Sequence, residues 1–227
     1  MFYYVRGERL EMPTLPGFDQ YLDPATSVIV SIDMHEGHLS EDPGAPCPSP
    51  RGREIIGAID EFHAAARALG VPIVHVRSEL RPSGIDDIGG IPSAWRLLAE
   101  ARGESSPLID EHAIAGTRWT NFVTQVEPGD EIAATKKRLS AFNPSDLDFL
   151  LRQMGVRTVV FDGIMTDCCI LSSAFDAQNL SYRVVTVGEL TRGTDEELER
   201  AALDILSLHA GIVVDAEDLT AAWRARS

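Results

Sequence analysis

Val159-Val160-Phe161-Asp162-Gly163-Ile164-Met165-Thr166-Asp167-Cys168-Cys169-Ile170 decides how this chain is read. Its opening residues are β-branched or apolar, the composition of a strand buried on both faces of a parallel sheet. Gly163 marks a turn, and Thr166 or Asp167 is placed to cap a helix continuing through 171–177. A cysteine therefore arrives in the first turn of a helix, at the carboxyl end of a central strand. Unpaired N–H groups and the helix dipole favour a thiolate there. Open α/β sheets also bind their ligands at that edge, so the position suggests a nucleophile.

Working outward, Ser27-Val28-Ile29-Val30-Ser31-Ile32-Asp33 reads as the first strand and ends abruptly on a carboxylate. The Pro- and Gly-rich stretch 41–53 reads as loop. Ile55, Ile56, Ile59, Phe62, Ala66 and Leu69 recur near a 3.6 period and predict a helix over 54–69, with Gly70 as its terminator. A strand over 72–77 completes a right-handed β-α-β unit. Further strands are expected at 130–135, 158–163, 182–187 and 211–214. Helices are expected at 93–101, 145–154, 167–180 and 195–208, the last capped by Thr194. Residues 1–25 read as an arm laid over the domain or a partner subunit. The irregular stretch 78–127 reads as a lid or a subunit contact. The fold class is α/β: one doubly wound, mainly parallel six-stranded sheet flanked by helices, over residues 26–227.

Composition bounds the function. A chain of 227 residues buries roughly 70% of its unfolded surface and needs no metal or disulfide staple. The net charge of −15 argues against nucleic acid and against an anionic membrane as partners, since both require a basic footprint. Three cysteines, two of them adjacent, make a poor disulfide framework and suit a reducing cytoplasm. No apolar run approaches the ~18 residues of a membrane span, and the first residues lack the core of a signal peptide. A cytoplasmic protein is expected.

Two more reactive groups end neighbouring strands. Asp33 closes the first, and Lys136 with Lys137 follows the strand at 130–135. A carboxylate, an ammonium and a thiol would then share one sheet edge. A thiol with a pKa of about 8.5 is only slightly ionised at neutral pH. A carboxylate can take its proton, a lysine can keep that carboxylate ionised, and backbone N–H groups at the turn can receive an oxyanion.

Three segments carry a resemblance: Val28-Ile29-Val30-Ser31-Ile32-Asp33-Met34, Lys136-Lys137-Arg138-Leu139-Ser140-Ala141-Phe142, and Gly163-Ile164-Met165-Thr166-Asp167-Cys168-Cys169-Ile170. In order and spacing the chain resembles the isochorismatase-like cysteine hydrolases, whose amidase branch includes N-carbamoylsarcosine amidase, biuret hydrolase and nicotinamidases. The resemblance selects Lys136 over Lys137 and Cys169 over Cys168. It implies a catalytic set of Asp33, Lys136 and Cys169, a non-proline cis peptide at Ile164–Met165, and an oxyanion hole from the Met165 and Cys169 N–H groups. It further implies hydrolysis of a small linear amide, ureido or carbamoyl compound through a thioester, and a homodimer or homotetramer. The alternatives are a vinyl-ether hydrolase of the isochorismatase type, an inactive small-molecule-binding relative, and a thiol redox protein using Cys168 and Cys169.

No cofactor is expected. His35, His38 and Glu36 could be read as a metal cluster, but the nicotinamidase ligands fall where this chain has Arg77-Ser78-Glu79, so no metal is expected either. Candidate substrate contacts are His35, His38, Arg77, Arg81, Trp95 and Phe142. Asn143-Pro144 departs from the small pair many relatives carry there. Cys47 reads as a loop residue, and His63 and His209 as ordinary helix residues.

Overall fold

In the computed structural model, residues 1–13 and 17–226 are described; residues 14–16 of the N-terminal arm lie outside them. One sheet carries the strands Phe2–Val5 (β1), Glu8–Glu11 (β2), Ser27–Ile32 (β3), Ile73–Ser78 (β4), Glu131–Lys136 (β5), Thr158–Ile164 (β6), Arg183–Arg192 (β7) and Ile212–Val214 (β8). Their spatial order is β2-β1-β8-β7-β6-β3-β4-β5. The six strands from β3 to β8 are parallel throughout. β1 and β2 add an antiparallel hairpin at one edge.

That hairpin corrects the reading of 1–25 as an arm and enlarges the expected sheet from six strands to eight. Its turn is Arg6-Gly7, with φ of 50° and 76°, the backbone that two-residue hairpins favour. Below it, Trp223 of the helix Ala216–Arg224 is fully buried and stacks on Phe62 with ring centroids 5.9 Å apart. This last helix was not among the expected elements.

Both sheet faces are covered, as a parallel sheet requires. Val28, Val30, Ile32, Val74, Val76, Val159 and Phe161 pack against the helices Leu147–Gln153 and Leu171–Asn179. Ile29, Ile73, Val160 and Val185 pack against the helices Ile56–Ala68 and Ala216–Arg224. Alternate residues of one strand thus serve opposite layers.

Two expected caps differ. Neither Thr166 nor Asp167 caps the helix after β6 with its side chain. Asp167 instead accepts from the backbone and hydroxyl of Thr194, while Thr166–Ile170 forms a wide turn in which Cys168 and Ile170 both donate to the Met165 carbonyl. Asp195, not Thr194, caps the helix Glu196–Ile205 by accepting from Leu198 N–H.

Strands β3, β4, β5 and β6 end together, and two backbone features position that edge. Gly163 has φ 104°, and a Cβ there would lie 2.2 Å from the Ile32 carbonyl oxygen, so β6 can pass β3 this closely only as glycine. The register between β4 and β5 shifts between Val76 and Ser78, which sets Ser78 beside Lys136.

Candidate active site

Asp33 leaves β3 with φ 54°, while its N–H still bonds the Val76 carbonyl at 2.8 Å. Both oxygens of its carboxylate are engaged. Oδ2 accepts from Lys136 Nζ at 2.6 Å, and Oδ1 accepts from the Ser78 N–H at 2.9 Å and the Ser78 hydroxyl at 3.3 Å. Lys136 Nζ also donates to Ser78 Oγ at 2.8 Å and reaches Cys169 Sγ at 3.4 Å. Asp33, Lys136 and Cys169, more than 100 positions apart at the extremes, therefore meet at one sheet edge. Lys136 stands between acid and thiol and touches both.

Burial and charge set the protonation of this cluster. Asp33 and Lys136 are 1% and 2% exposed, and Cys169 is 8% exposed. Burial works against the Asp33 charge, but the Lys136 ammonium holds the carboxyl far below its usual range. Burial equally opposes the Lys136 charge, and the Asp33 carboxylate overcomes it and raises the ammonium pKa. The Cys169 thiol is pushed well up by its contact with Cys168 and by burial, against the pull of Lys136. At rest the cluster is therefore carboxylate, ammonium and thiol. Cys168 Sγ lies 4.0 Å from Cys169 Sγ, and all three cysteines are free.

The peptide Ile164–Met165 is cis, and the turn Thr166–Ile170 follows β6. Ser49 Oγ contacts the Met165 sulfur at 3.7 Å.

Three histidines wall the acid. His35 Nδ1 lies 2.8 Å from the Trp119 carbonyl and 3.2 Å from the Gly37 N–H. Its Nε2 is left without a hydrogen-bond partner, 3.9 Å from Asp33 Oδ1. Burial and the neighbouring His38 push the His35 pKa down to about 3. Burial also disfavours a charge on His38, but bonding to Cys47 and the Asp33 charge push it up to about 9. The rings of His35 and His38 lie 4.8 Å apart, and those of His38 and His112 5.7 Å apart. Trp95 packs edge-on against His112 at 5.1 Å. The 78–127 stretch thus closes over the turn after β3, so tightly that a Cβ on Gly37 would overlap the His112 carbonyl oxygen at 1.9 Å.

The other candidate contacts are engaged elsewhere. Arg77 pairs with Glu79 at 3.2 Å, donates to the Thr120 carbonyl at 2.7 Å and lies over the Phe122 ring. Arg81 pairs with Asp86 on the surface. Phe142 is buried and stacks on Tyr182. Among the described residues no group of three or more His, Cys, Asp or Glu is arranged to hold a metal ion. Two clefts, of about 700 and 690 Å³, are lined by neither Asp33, Lys136 nor Cys169.

Ser78 and His112 were not singled out from the sequence. Ser78 continues the Val74–Val76 face of its strand, and Val76 and Cys169 belong to the same core cluster. Strand parity was therefore the available signal.

Residues 27–218 match the isochorismatase domain model. The chain belongs to the isochorismatase family. Among curated relatives it is 30% identical to the ureidoacrylate amidohydrolase RutB of Methylobacterium radiotolerans over 203 residues, covering 86% of this chain and 78% of that protein. Among solved structures, an isochorismatase-like hydrolase from Alkaliphilus metalliredigens superposes with a TM-score of 0.72 at 27% identity, covering 87% of this chain and 99% of that one. A cysteine hydrolase from Pseudomonas syringae pv. phaseolicola 1448A shares the fold, with a TM-score of 0.77 at 19% identity over 90% of this chain and 95% of that one. No described helix is long and apolar enough to cross a membrane.

Proposed function

We propose that this protein is a cysteine amidohydrolase that cleaves the C–N bond of a small linear amide, in particular a ureido or carbamoyl compound. The observation that carries the reading is Lys136 Nζ bonded to both Asp33 Oδ2 and Cys169 Sγ at the ligand-binding edge of the sheet. Similarity to ureidoacrylate amidohydrolases supports the ureido class.

In this reading Asp33 accepts the Cys169 proton and the sulfur bonds to the substrate carbonyl carbon. The Met165 and Cys169 N–H groups receive the oxyanion, a contribution worth about 3 kcal/mol per donor in comparable sites. The C–N bond breaks as Asp33 returns the proton to the departing nitrogen, releasing ammonia or an amine and leaving a thioester. Water then adds to the thioester carbonyl while Asp33 takes its proton. The C–S bond breaks, the acid leaves and sulfur regains a proton. Lys136 keeps Asp33 ionised between steps and offsets the negative charge that moves between oxygen and sulfur. The reaction belongs to the cytoplasm and to a homodimer or homotetramer, the latter checked by light scattering.

Ammonia release from ureidoacrylate, biuret, triuret, N-carbamoyl amino acids, maleamate and nicotinamide tests the reading. Turnover of at least one linear ureido or carbamoyl compound, lost after thiol alkylation, is expected. Silence across the panel, or turnover indifferent to alkylation, contradicts it.

A further inference from the structure

Ser78 bonds both charged members of the cluster at once. Its N–H and hydroxyl reach Asp33 Oδ1 at 2.9 and 3.3 Å, and its oxygen accepts from Lys136 Nζ at 2.8 Å. Because an ammonium occupies a lone pair of Oγ, the hydroxyl proton turns toward the carboxylate. The three N–H bonds of Lys136 are then spent on Asp33 Oδ2, Ser78 Oγ and Cys169 Sγ, the last being the longest at 3.4 Å. Oδ1 has both lone pairs filled by Ser78. What stays open on the carboxylate is the second lone pair of Oδ2, the oxygen beside the ammonium that touches sulfur.

We propose that Ser78 is a positioning residue that holds the resting cluster as carboxylate and thiol and directs the Cys169 proton to Asp33 Oδ2. This rests on Asp33 being the acceptor of that proton. Asp33 is faced by Lys136 from β5, by His35 and His38 from the turn after β3, by His112 from the 78–127 stretch, and by Cys168 and Cys169 from the turn after β6. Among the described residues, only Ser78 and Lys136 hydrogen-bond its carboxylate.

Removing the Ser78 hydroxyl changes two links with one sign. Asp33 loses a donor that favours its charged form and becomes a better proton acceptor. Lys136 loses one of its three acceptors and is left with Asp33 Oδ2 and Cys169 Sγ, so a larger share of its N–H groups falls to the sulfur. Both changes move the thiol toward thiolate. The free enzyme should then become more reactive toward electrophiles, although the serine touches neither the sulfur nor any substrate.

The test is the rate of Cys169 alkylation by iodoacetamide from pH 5 to 9, read by peptide mass spectrometry alongside thermal melting. Ser78→Ala is expected to alkylate about tenfold faster at pH 7, its reactive form appearing about one pH unit lower. Ser78→Thr, which keeps a hydroxyl, is expected to match the wild type. Should Ser78→Ala fail to melt cooperatively, Ser78→Cys preserves volume with a weaker donor, and peptide mapping separates the added thiol from Cys169. A wild-type onset in the variant, or slower alkylation, overturns the proposal; so does a lowered melting temperature with unchanged reactivity, which makes Ser78 a packing residue. Iodoacetamide reads the thiol without any substrate, so a silent amide panel and an unshifted alkylation profile are separate failures.

Discussion

Ser31 and Asp33 stand two residues apart in sequence, and the polar clusters built around them differ in kind. Around Asp33, every carboxylate oxygen and every ammonium hydrogen has a partner, and the cluster ends on a sulfur at the edge of the sheet. Ser31 lies mid-sheet, in register with His75 on one side and Asp162 on the other. His63, from the helix above, bonds Asp162 at 2.8 Å, and both are fully buried. Ser31 Oγ, His63 Nδ1, His75 Nδ1 and Asp162 Oδ1 all lack a hydrogen-bond partner. The difference follows from position. Strands stop at the edge, so side chains and turn N–H groups from four of them converge on one point. In the middle of the sheet the ladder holds the strands apart in register, and polar groups there meet what the covering helix and the turn before β5 bring. Full partnering at the edge keeps a buried charge in place for chemistry. The mid-sheet cluster ties the helix Ile56–Ala68 to the sheet and continues through His75 and Asp130 to Arg67.

Breaking the edge cluster should cost most. Lys136→Met leaves the Asp33 carboxylate buried with only its Ser78 donors, and loss of one partner from a buried pair costs about 3–5 kcal/mol. Denaturant melts should show that loss and turnover should vanish with it. Lys136→Met combined with Asp33→Leu should recover much of the stability but none of the activity.

In the mid-sheet cluster, His63→Phe strips the Asp162 carboxylate of the one hydrogen bond it makes among the described residues. A loss of about 3 kcal/mol is expected, with kcat nearly unchanged. A kcat that falls as far as in Lys136→Met would mean that the two clusters act as one.

The smallest effect concerns acid. Burial opposes the Asp130 charge, but Arg67, the Glu127 N–H and His75 hold its pKa down to about 2, against an ordinary 3.8. A depressed carboxylate stabilises the fold above its unfolded pKa, and that contribution fades as the pH falls from about 4 towards 2. Asp130→Asn should therefore flatten the acid-unfolding curve in that window. An unchanged curve would detach Asp130 from the network.

The sequence revealed the chemistry at the edge more readily than the supports around it. Asp33, the Lys136-Lys137 pair and the Cys168-Cys169 pair each follow a run that reads as a strand, which places them at one sheet end, and the resemblance to the cysteine hydrolases selected Lys136 and Cys169 within those pairs. Ser78 was hidden because it is one small residue between two charged ones; strand parity put it on the Val74–Val76 face, but the register shift that sets it beside Lys136 leaves no local mark. The hairpin β1–β2 escaped because its strands are four residues long and half-exposed, although Arg6-Gly7 was a turn signal. The helix Ala216–Arg224 had a cue in the spacing of Leu219, Ala222 and Trp223. His63 read as an ordinary helix residue, because its partner Asp162 lies 99 positions away.

Rapid-quench mass spectrometry on the Cys169 peptide, during turnover of whichever amide the panel identifies, tests the central account most directly. The account predicts a transient mass increase equal to the acyl part of the substrate on Cys169, together with a Cys169→Ala protein that folds normally but has lost more than about a thousandfold in turnover. Steady hydrolysis without any adduct, and undiminished in Cys169→Ala, would contradict it.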